Sequence, residues 1–452
     1  MGNNFSNSTV IGGTIEKGYE PVRDMFRKNF ETGKERDAQL CVYVEGRRVI
    51  DLWGSAEGDE TYNGDSLQCV FSSSKAITAM AIASIADQGL INYSNTVASY
   101  FPEFSENAKG DVKVEDLLRH ESGLANIHTA INPKDLHPQE LEKGTVAKII
   151  AKDYQVFPKN TVREYHNLTG GWIMNEIFRR VTPDKITIGS WLRREYHEGH
   201  GIDVHMGLTE SELARTRPLE AIPTPHAMLH SLIPNAFGAQ VEHNIFVFSK
   251  ILSSFKRRFT ETEKRGFAAM FEGVDPGLDP GVLIPEFMNS PDWRLGESPH
   301  GNVHASARAL AMLAGAMANG GQVEGKQIIS PTAWILLHNN PIVREDAYMN
   351  GCRTEFTQGG VNMFKDYHDD KFGERVLKSG RHGFTGWMGF GGSIIQWHTE
   401  LKLGFGYACT FMTWWDMANI KARKLQKEVV VCTKRINEEK IDEKIDENNN
   451  VK

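Results

Sequence analysis

Residues 71–89 read Phe71-Ser72-Ser73-Ser74-Lys75 followed by AITAMAIASIADQG. Ile77, Met80, Ala81 and Ile85 recur at helical spacing until Gly89, a residue suited to end a helix, so the pattern predicts an amphipathic helix opened by Ser72. Residues three apart share a helix face, which brings Ser72 and Lys75 together. A serine hydroxyl is a poor nucleophile until a base takes its proton, and a lysine held nearly dry can be such a base. The helix N-terminus adds backbone N–H donors where an oxyanion would form. By itself the Ser-x-x-Lys pair is weak, because a chain of this length holds about one or two by chance.

Upstream, residues 38–53 (AQLCVYVEGRRVIDLW) alternate Leu40, Val42 and Val44 against Cys41 and Tyr43, which predicts two strands joined at Glu45-Gly46. Far downstream, GGSIIQW and LKLGFGYACTFM are two more strand-like runs separated by the turn-forming HTE. The stretch DMANIKARKLQKEVVVC then reads as a helix. The middle is dotted with proline and histidine and is mostly helical and loop-rich in pattern. Strands at both ends with helices between them predict a flexible start over 1–12 and one folded domain over 13–436. The remaining residues, 437–452, repeat an EKIDE unit without aromatic residues and read as a charged, disordered tail.

Composition narrows the function. The 452 residues are 40% hydrophobic and 24% charged, with a formal net charge of -7, so no cationic footprint for nucleic acid exists. No apolar run of about 18 residues spans a membrane and no signal peptide opens the chain, which predicts a cytoplasmic protein. Five scattered cysteines, Cys41, Cys69, Cys352, Cys409 and Cys432, lack any CxxC pair and read as reduced, buried thiols. Met1-Gly2-Asn3-Asn4-Phe5-Ser6 fits the myristoylation pattern at Gly2; with no lysine or arginine before Lys17, one acyl chain would give only reversible membrane binding.

Tyr165-His166-Asn167 lies roughly ninety residues after Ser72 and is followed by LTGGW; a Tyr-x-Asn element of this kind accompanies Ser-x-x-Lys in one group of hydrolases. Tyr165 would then be a general base acidified by Lys75, with Asn167 bonding the substrate or Lys75. With SSSKAITAMAIASIADQGLINYSNTVASYFPEF, VEDLLRHESGLANI and GNVHASARALAMLAGAMANGGQVEGKQIIS in order, the sequence resembles the serine β-lactamase-like proteins over roughly residues 13 to 435. That group includes class C β-lactamases, D-Ala-D-Ala peptidases, family VIII carboxylesterases and animal β-lactamase-domain proteins.

The resemblance implies an α/β (α+β) serine β-lactamase/penicillin-binding-protein-like fold, an antiparallel sheet flanked by helices plus a mainly helical subdomain. The sheet part would come from about 13–105 and 291–436, with the helical insertion at about 106–290. Ser72, Lys75 and Tyr165 would be catalytic, the Ser72 and Phe390 amides would form the oxyanion hole, and His120 would be structural. No cofactor or metal is implied, and no HExxH or paired histidine spacing suggests one.

The third motif departs from the pattern. Relatives carry Lys-Thr-Gly or His-Thr-Gly a few residues before Gly-Gly-Ser; counting back from Gly391-Gly392-Ser393 lands on Trp387-Met388-Gly389. No cation stands there to meet a substrate carboxylate. His382, five residues upstream, has the wrong spacing to replace it. The expected substrate is therefore a small neutral ester held near Asn167, Trp387, Gly389 and Phe390. The rivals are a β-lactamase or D-Ala-D-Ala peptidase-like amide hydrolase and a non-catalytic binding or assembly protein. A homo-oligomer is compatible with either outcome.

Overall fold

The computed structural model describes residues 9–233, 239–241, 270–275, 277–349, 351–412, 416 and 419–450. Strand β1 (Val10–Ile15) leads through helix α1 (Glu20–Glu31) to the expected hairpin, β2 (Asp37–Val44) and β3 (Arg47–Ser55). Its turn residues Glu45 and Gly46 both have positive φ, the pair of left-handed conformations that matches strand twist in a two-residue hairpin. Helices α2 (Ser74–Asp87), α3 (Thr169–Val181) and α4 (Ala307–Ala318) follow, with only two-residue strands among them. The second half of the sheet comprises β4 (Ile342–Asp346), β5 (Cys352–Phe356), β6 (Asn362–Met363), β7 (Phe384–Met388), β8 (Ile394–His398) and β9 (Leu403–Cys409). The nine strands are antiparallel in the order β1-β3-β2-β9-β8-β7-β6-β5-β4, so β2 from one chain end pairs with β9 from the other.

Alternation divides the core between the sheet's two faces. Leu40, Val42 and Phe405 pack with Phe26 of α1 and with Leu425 and Val429 of the C-terminal helix α5 (Ile420–Asn450). Cys41 and Tyr43 point the other way, toward α4 and α2. Each fully buried side chain of this size contributes about 1.5–3 kcal/mol. Helix α4 sits directly on the β9 backbone: a Cβ at Gly404 would lie 2.1 Å from the Gly315 nitrogen.

Three expectations are corrected. Helix α2 is not amphipathic; Ser74 to Ala83 and Ile85 are all buried, because alanines on its remaining faces admit neighbours on every side. Residues 10–12 of the expected flexible start belong to strand β1, since Val10 already pairs with Ser55; residues 1–8, Gly2 among them, lie outside the described residues. The segment after 436 is helical to Asn450: glutamate and lysine favour helix even where nothing covers them, and residues 438–443 are exposed. Among the described residues the five cysteines form no disulfide; four are buried and Cys352 is part-exposed. Among the described residues no helix is long and apolar enough to cross a membrane.

A buried ion pair fastens α5 to the sheet. Lys421 Nζ lies 2.8 Å from Glu35 Oε1 and donates to the carbonyls of Phe411 and Lys34, while the Tyr407 hydroxyl donates to Glu35 at 2.5 Å. Burial pushes Glu35 up and Lys421 opposes it, while Glu35 in turn holds Lys421 up against its own burial. Lys421→Met leaves a buried carboxylate unpaired and is expected to cost about 3–5 kcal/mol in urea unfolding. An unchanged midpoint would show that the pair does not carry the junction.

Candidate active site

The nucleophile candidate stands at the end of a strained approach. Phe71 has φ +46, a region that a bulky residue enters only when its surroundings enforce it, and a single 3-10 turn over Phe71–Ser73 feeds α2. Ser72 is left half-buried at the edge of a cleft while Ser73 and Ser74 are buried. Ser73 Oγ lies 3.0 Å from Ser393 Oγ, and Ser393 Oγ donates to the Val70 carbonyl at 2.6 Å. These contacts hold the turn from the sheet side.

Lys75 Nζ lies 3.3 Å from Ser72 Oγ, 2.7 Å from the Asn167 carbonyl and 3.0 Å from the His300 carbonyl. Burial drives its pKa well below the usual lysine value, with no carboxylate partner among the described residues to offset it. The three contacts match the three donors of an ammonium, and equally the two donors and one lone pair of a neutral amine whose lone pair would face the Ser72 hydroxyl. The Tyr165 hydroxyl donates to Ser72 Oγ at 2.7 Å. Burial raises the Tyr165 pKa, with the nearby Asp346 adding to it, so the phenol keeps its proton. Burial thus pushes both the Lys75 amine and the Tyr165 phenol toward their neutral forms, which bears on the expected pairing of Tyr165 as general base with Lys75.

Across the cleft, Gly389 passes so close to the nucleophile turn that a Cβ there would lie 2.3 Å from the Val70 carbonyl and 2.2 Å from Ser393 Oγ. Asn419, the residue before α5, donates from Nδ2 to the carbonyls of Gly389 and Ser393, both at 3.0 Å. Phe390 is carried on this tied turn and packs its ring edge-on against Phe71 at 6.2 Å. Ser72 lies in the first turn of its helical segment, where amides have no intrahelical acceptor.

Ser72 opens into a cavity of about 170 Å³ with mainly apolar walls. Trp387 is buried in its wall, donating from Nε1 to the Gly360 carbonyl at 3.2 Å, with its ring 5.6 Å from Tyr165 and 5.4 Å from Phe356.

A family model described as "Beta-lactamase" matches residues 22–427. The chain belongs to the beta-lactamase family. The protein named "Esterase/beta-lactamase LipL" from Mycobacterium tuberculosis (strain ATCC 25618 / H37Rv) is 31% identical over 324 residues, 71% of this chain and 67% of its own. Among solved structures, a penicillin-binding-protein homologue from Caulobacter crescentus superposes with a TM-score of 0.70 at 25% identity, covering 94% of this chain and 100% of that one. A family VIII carboxylesterase does so with a TM-score of 0.69 at 25% identity, over 94% and 100%. The expected fold is thereby established, and the protein is a hydrolase of this family.

Within that family fold, Ser72, Lys75 and Tyr165 meet, and Asn167, Trp387, Gly389 and Phe390 line the same cavity. Asn167 reaches Lys75 through its backbone carbonyl rather than its side chain. His382 does not: it is largely exposed beside Asp366, 3.5 Å away, and is not among the cavity-lining residues. His120 is buried under Tyr165, with ring centroids 4.8 Å apart, and its Nδ1 accepts the His166 N–H at 3.1 Å, which supports the Tyr165–Asn167 segment. Burial keeps His120 and His300 neutral, and takes His166 down to about 3.

The family motifs did not single out His300, Asp346 or Asn419, which come from loops and strand ends with no local periodicity. The histidine of the stretch ESPHGNVHAS, just upstream of a recognised element, was the one available signal. Away from the cleft, His197, Asp203 and His205 bring metal-ligand atoms within 4.8 Å of one another, a grouping the sequence spacing did not announce. Asp203 is already bonded there by Arg215 and His205, so its charge is neutralised within the chain.

Proposed function

We propose that this protein is a cytoplasmic serine esterase that hydrolyses small neutral esters through an acyl-enzyme on Ser72. The observation that carries the reading is a serine–lysine–tyrosine cluster opening into an apolar cavity with no cation at the third-motif position. In the first half-reaction Ser72 Oγ attacks the ester carbonyl carbon while its proton passes to the neutral Lys75 amine. The Ser72 and Phe390 amides receive the developing oxyanion. Tyr165 then gives a proton to the departing alcohol and regains one from Lys75. Water repeats the sequence on the acyl-enzyme, releasing the acid. The ester side of this reading is supported by the names of LipL and of the carboxylesterase structure.

A substrate carboxylate entering this cavity meets Trp387 where relatives have lysine or histidine. Its desolvation without a partner costs roughly 1–3 kcal/mol, which is about fivefold to 150-fold in affinity. The flat indole instead suits an apolar acyl or alcohol group, whose burial gains about 25 cal/mol per Å². Short-chain aryl esters are therefore expected to be hydrolysed with kcat/KM at least about tenfold above that of an anionic chromogenic cephalosporin. Trp387→Lys is expected to narrow the gap. If the wild-type protein clears the cephalosporin with the higher kcat/KM, the β-lactamase reading replaces this one.

A further inference from the structure

The side chains that line the cavity are one-sided in charge: among the described residues they include no lysine or arginine, and Asp346 is their one carboxylate. Asp346 closes β4 opposite Cys352 and is fully buried. Its two oxygens are used unequally. Oδ1 accepts the backbone N–H groups of Tyr348 at 2.9 Å and of Tyr165 and Met349 at 3.3 Å. Oδ2 is buried without a hydrogen-bond partner among the described residues. Buried carboxylate oxygens are rarely left so, and a side chain needed only to accept three amides would not require the charge. The neighbouring Arg163 does not fill the gap, since its guanidinium is engaged by Glu121 and by the carbonyls of Thr354 and Ile342.

Aromatic faces surround the same space. The Tyr165 ring lies 5.4 Å from Tyr348 and 5.6 Å from Trp387, and all three line the cavity. Ring faces attract cations, most strongly where water is excluded. Tyr165 also sets the distance, because its backbone N–H bonds Asp346 and its hydroxyl bonds Ser72. The carboxylate thus stands one tyrosine length from the nucleophile, which leaves a few bonds between a recognised group and the scissile carbonyl.

We propose that the cleft, read as an esterase on which this inference rests, prefers esters carrying an alkylammonium group. Asp346 Oδ2 is the counter-ion, and the rings of Tyr348, Tyr165 and Trp387 are the walls. Burial pushes the Asp346 carboxyl up to about 6 against the pull of the backbone amides and Arg163. Neutral esters still enter, anionic ones are turned away, and cationic ones gain a partner.

The test compares two aryl esters of matched shape, one ending in trimethylammonium and the other in tert-butyl. Wild type is expected to favour the cationic ester by about tenfold or more in kcat/KM, and Asp346→Asn to bring the ratio to about one. A wild-type ratio of one or below, or a ratio unmoved by the substitution, overturns the proposal. If Asp346→Asn does not fold, Tyr348→Leu replaces it, and the ratio must fall there too. Calorimetric titration with phenyltrimethylammonium against tert-butylbenzene separates this inference from the esterase reading. Preference for the cation without ester turnover sinks the esterase alone; ester turnover at Ser72 without that preference sinks the ammonium site alone.

Discussion

Ser72→Ala is expected to lower kcat for an aryl ester by roughly 10⁴-fold or more and to abolish labelling by a fluorophosphonate. The size follows from how the hydroxyl is placed. Its oxygen accepts from Tyr165 at 2.7 Å, and Lys75 waits 3.3 Å away to take its proton. Without the oxygen no acyl-enzyme forms, and only the oxyanion donors and the binding cavity remain to accelerate direct attack by water. Stability should move little, because Ser72 faces the cavity, where water can satisfy the Tyr165 hydroxyl that loses its acceptor. The measurement is adduct mapping by mass spectrometry alongside urea unfolding of both proteins. An adduct on another serine, or turnover that survives the substitution, removes Ser72 from the mechanism.

The parts of this site that could be read from sequence are those in which function and local geometry share one segment. Ser72 and Lys75 are linked by helical spacing, and Tyr165 and Asn167 by a short motif, so their residues could be named before any contact was known. The β2–β3 hairpin was legible for the same reason: alternation and a Glu-Gly turn act within a few residues. Asp346 could not be found this way. In VREDAY it reads as one charge of a solvated run, and it becomes a buried acceptor only because β4 ends against the Tyr165 segment. Asn419 resembles any helix-start asparagine until the sheet brings the carbonyls of Gly389 and Ser393 to it. The error over α2 has a related cause. Alanine is nearly neutral in a hydrophobic pattern, so an alanine-rich helix buried on all sides looks one-sided when only its larger residues are counted. Motif and spacing pair Tyr165 with Lys75, but the burial that pushes the amine down and the phenol up is not visible in the sequence.

Lys75→Met should lower kcat/KM for the same ester by about 10²–10⁴-fold, the usual worth of a positioned general base. In wild type the rate should already be on its alkaline plateau well below the ordinary lysine range, because burial favours the neutral amine. The same shift has a consequence for stability whose sign is fixed. The unfolded chain holds the Lys75 proton up to the ordinary lysine pKa, whereas the folded chain releases it earlier. Between those two values the unfolded state binds more protons, so the Lys75 contribution makes wild type more stable as pH rises through that window and adds no pH dependence on either side of it. Lys75→Met removes that slope while leaving the other titrating groups in place. Urea unfolding of both proteins across neutral to alkaline pH should therefore show wild type gaining on the variant as pH increases. A constant difference would mean that Lys75 keeps its proton in the folded state. The base would then have to be sought elsewhere, with Tyr165 beside a charged ammonium as the remaining partner of Ser72.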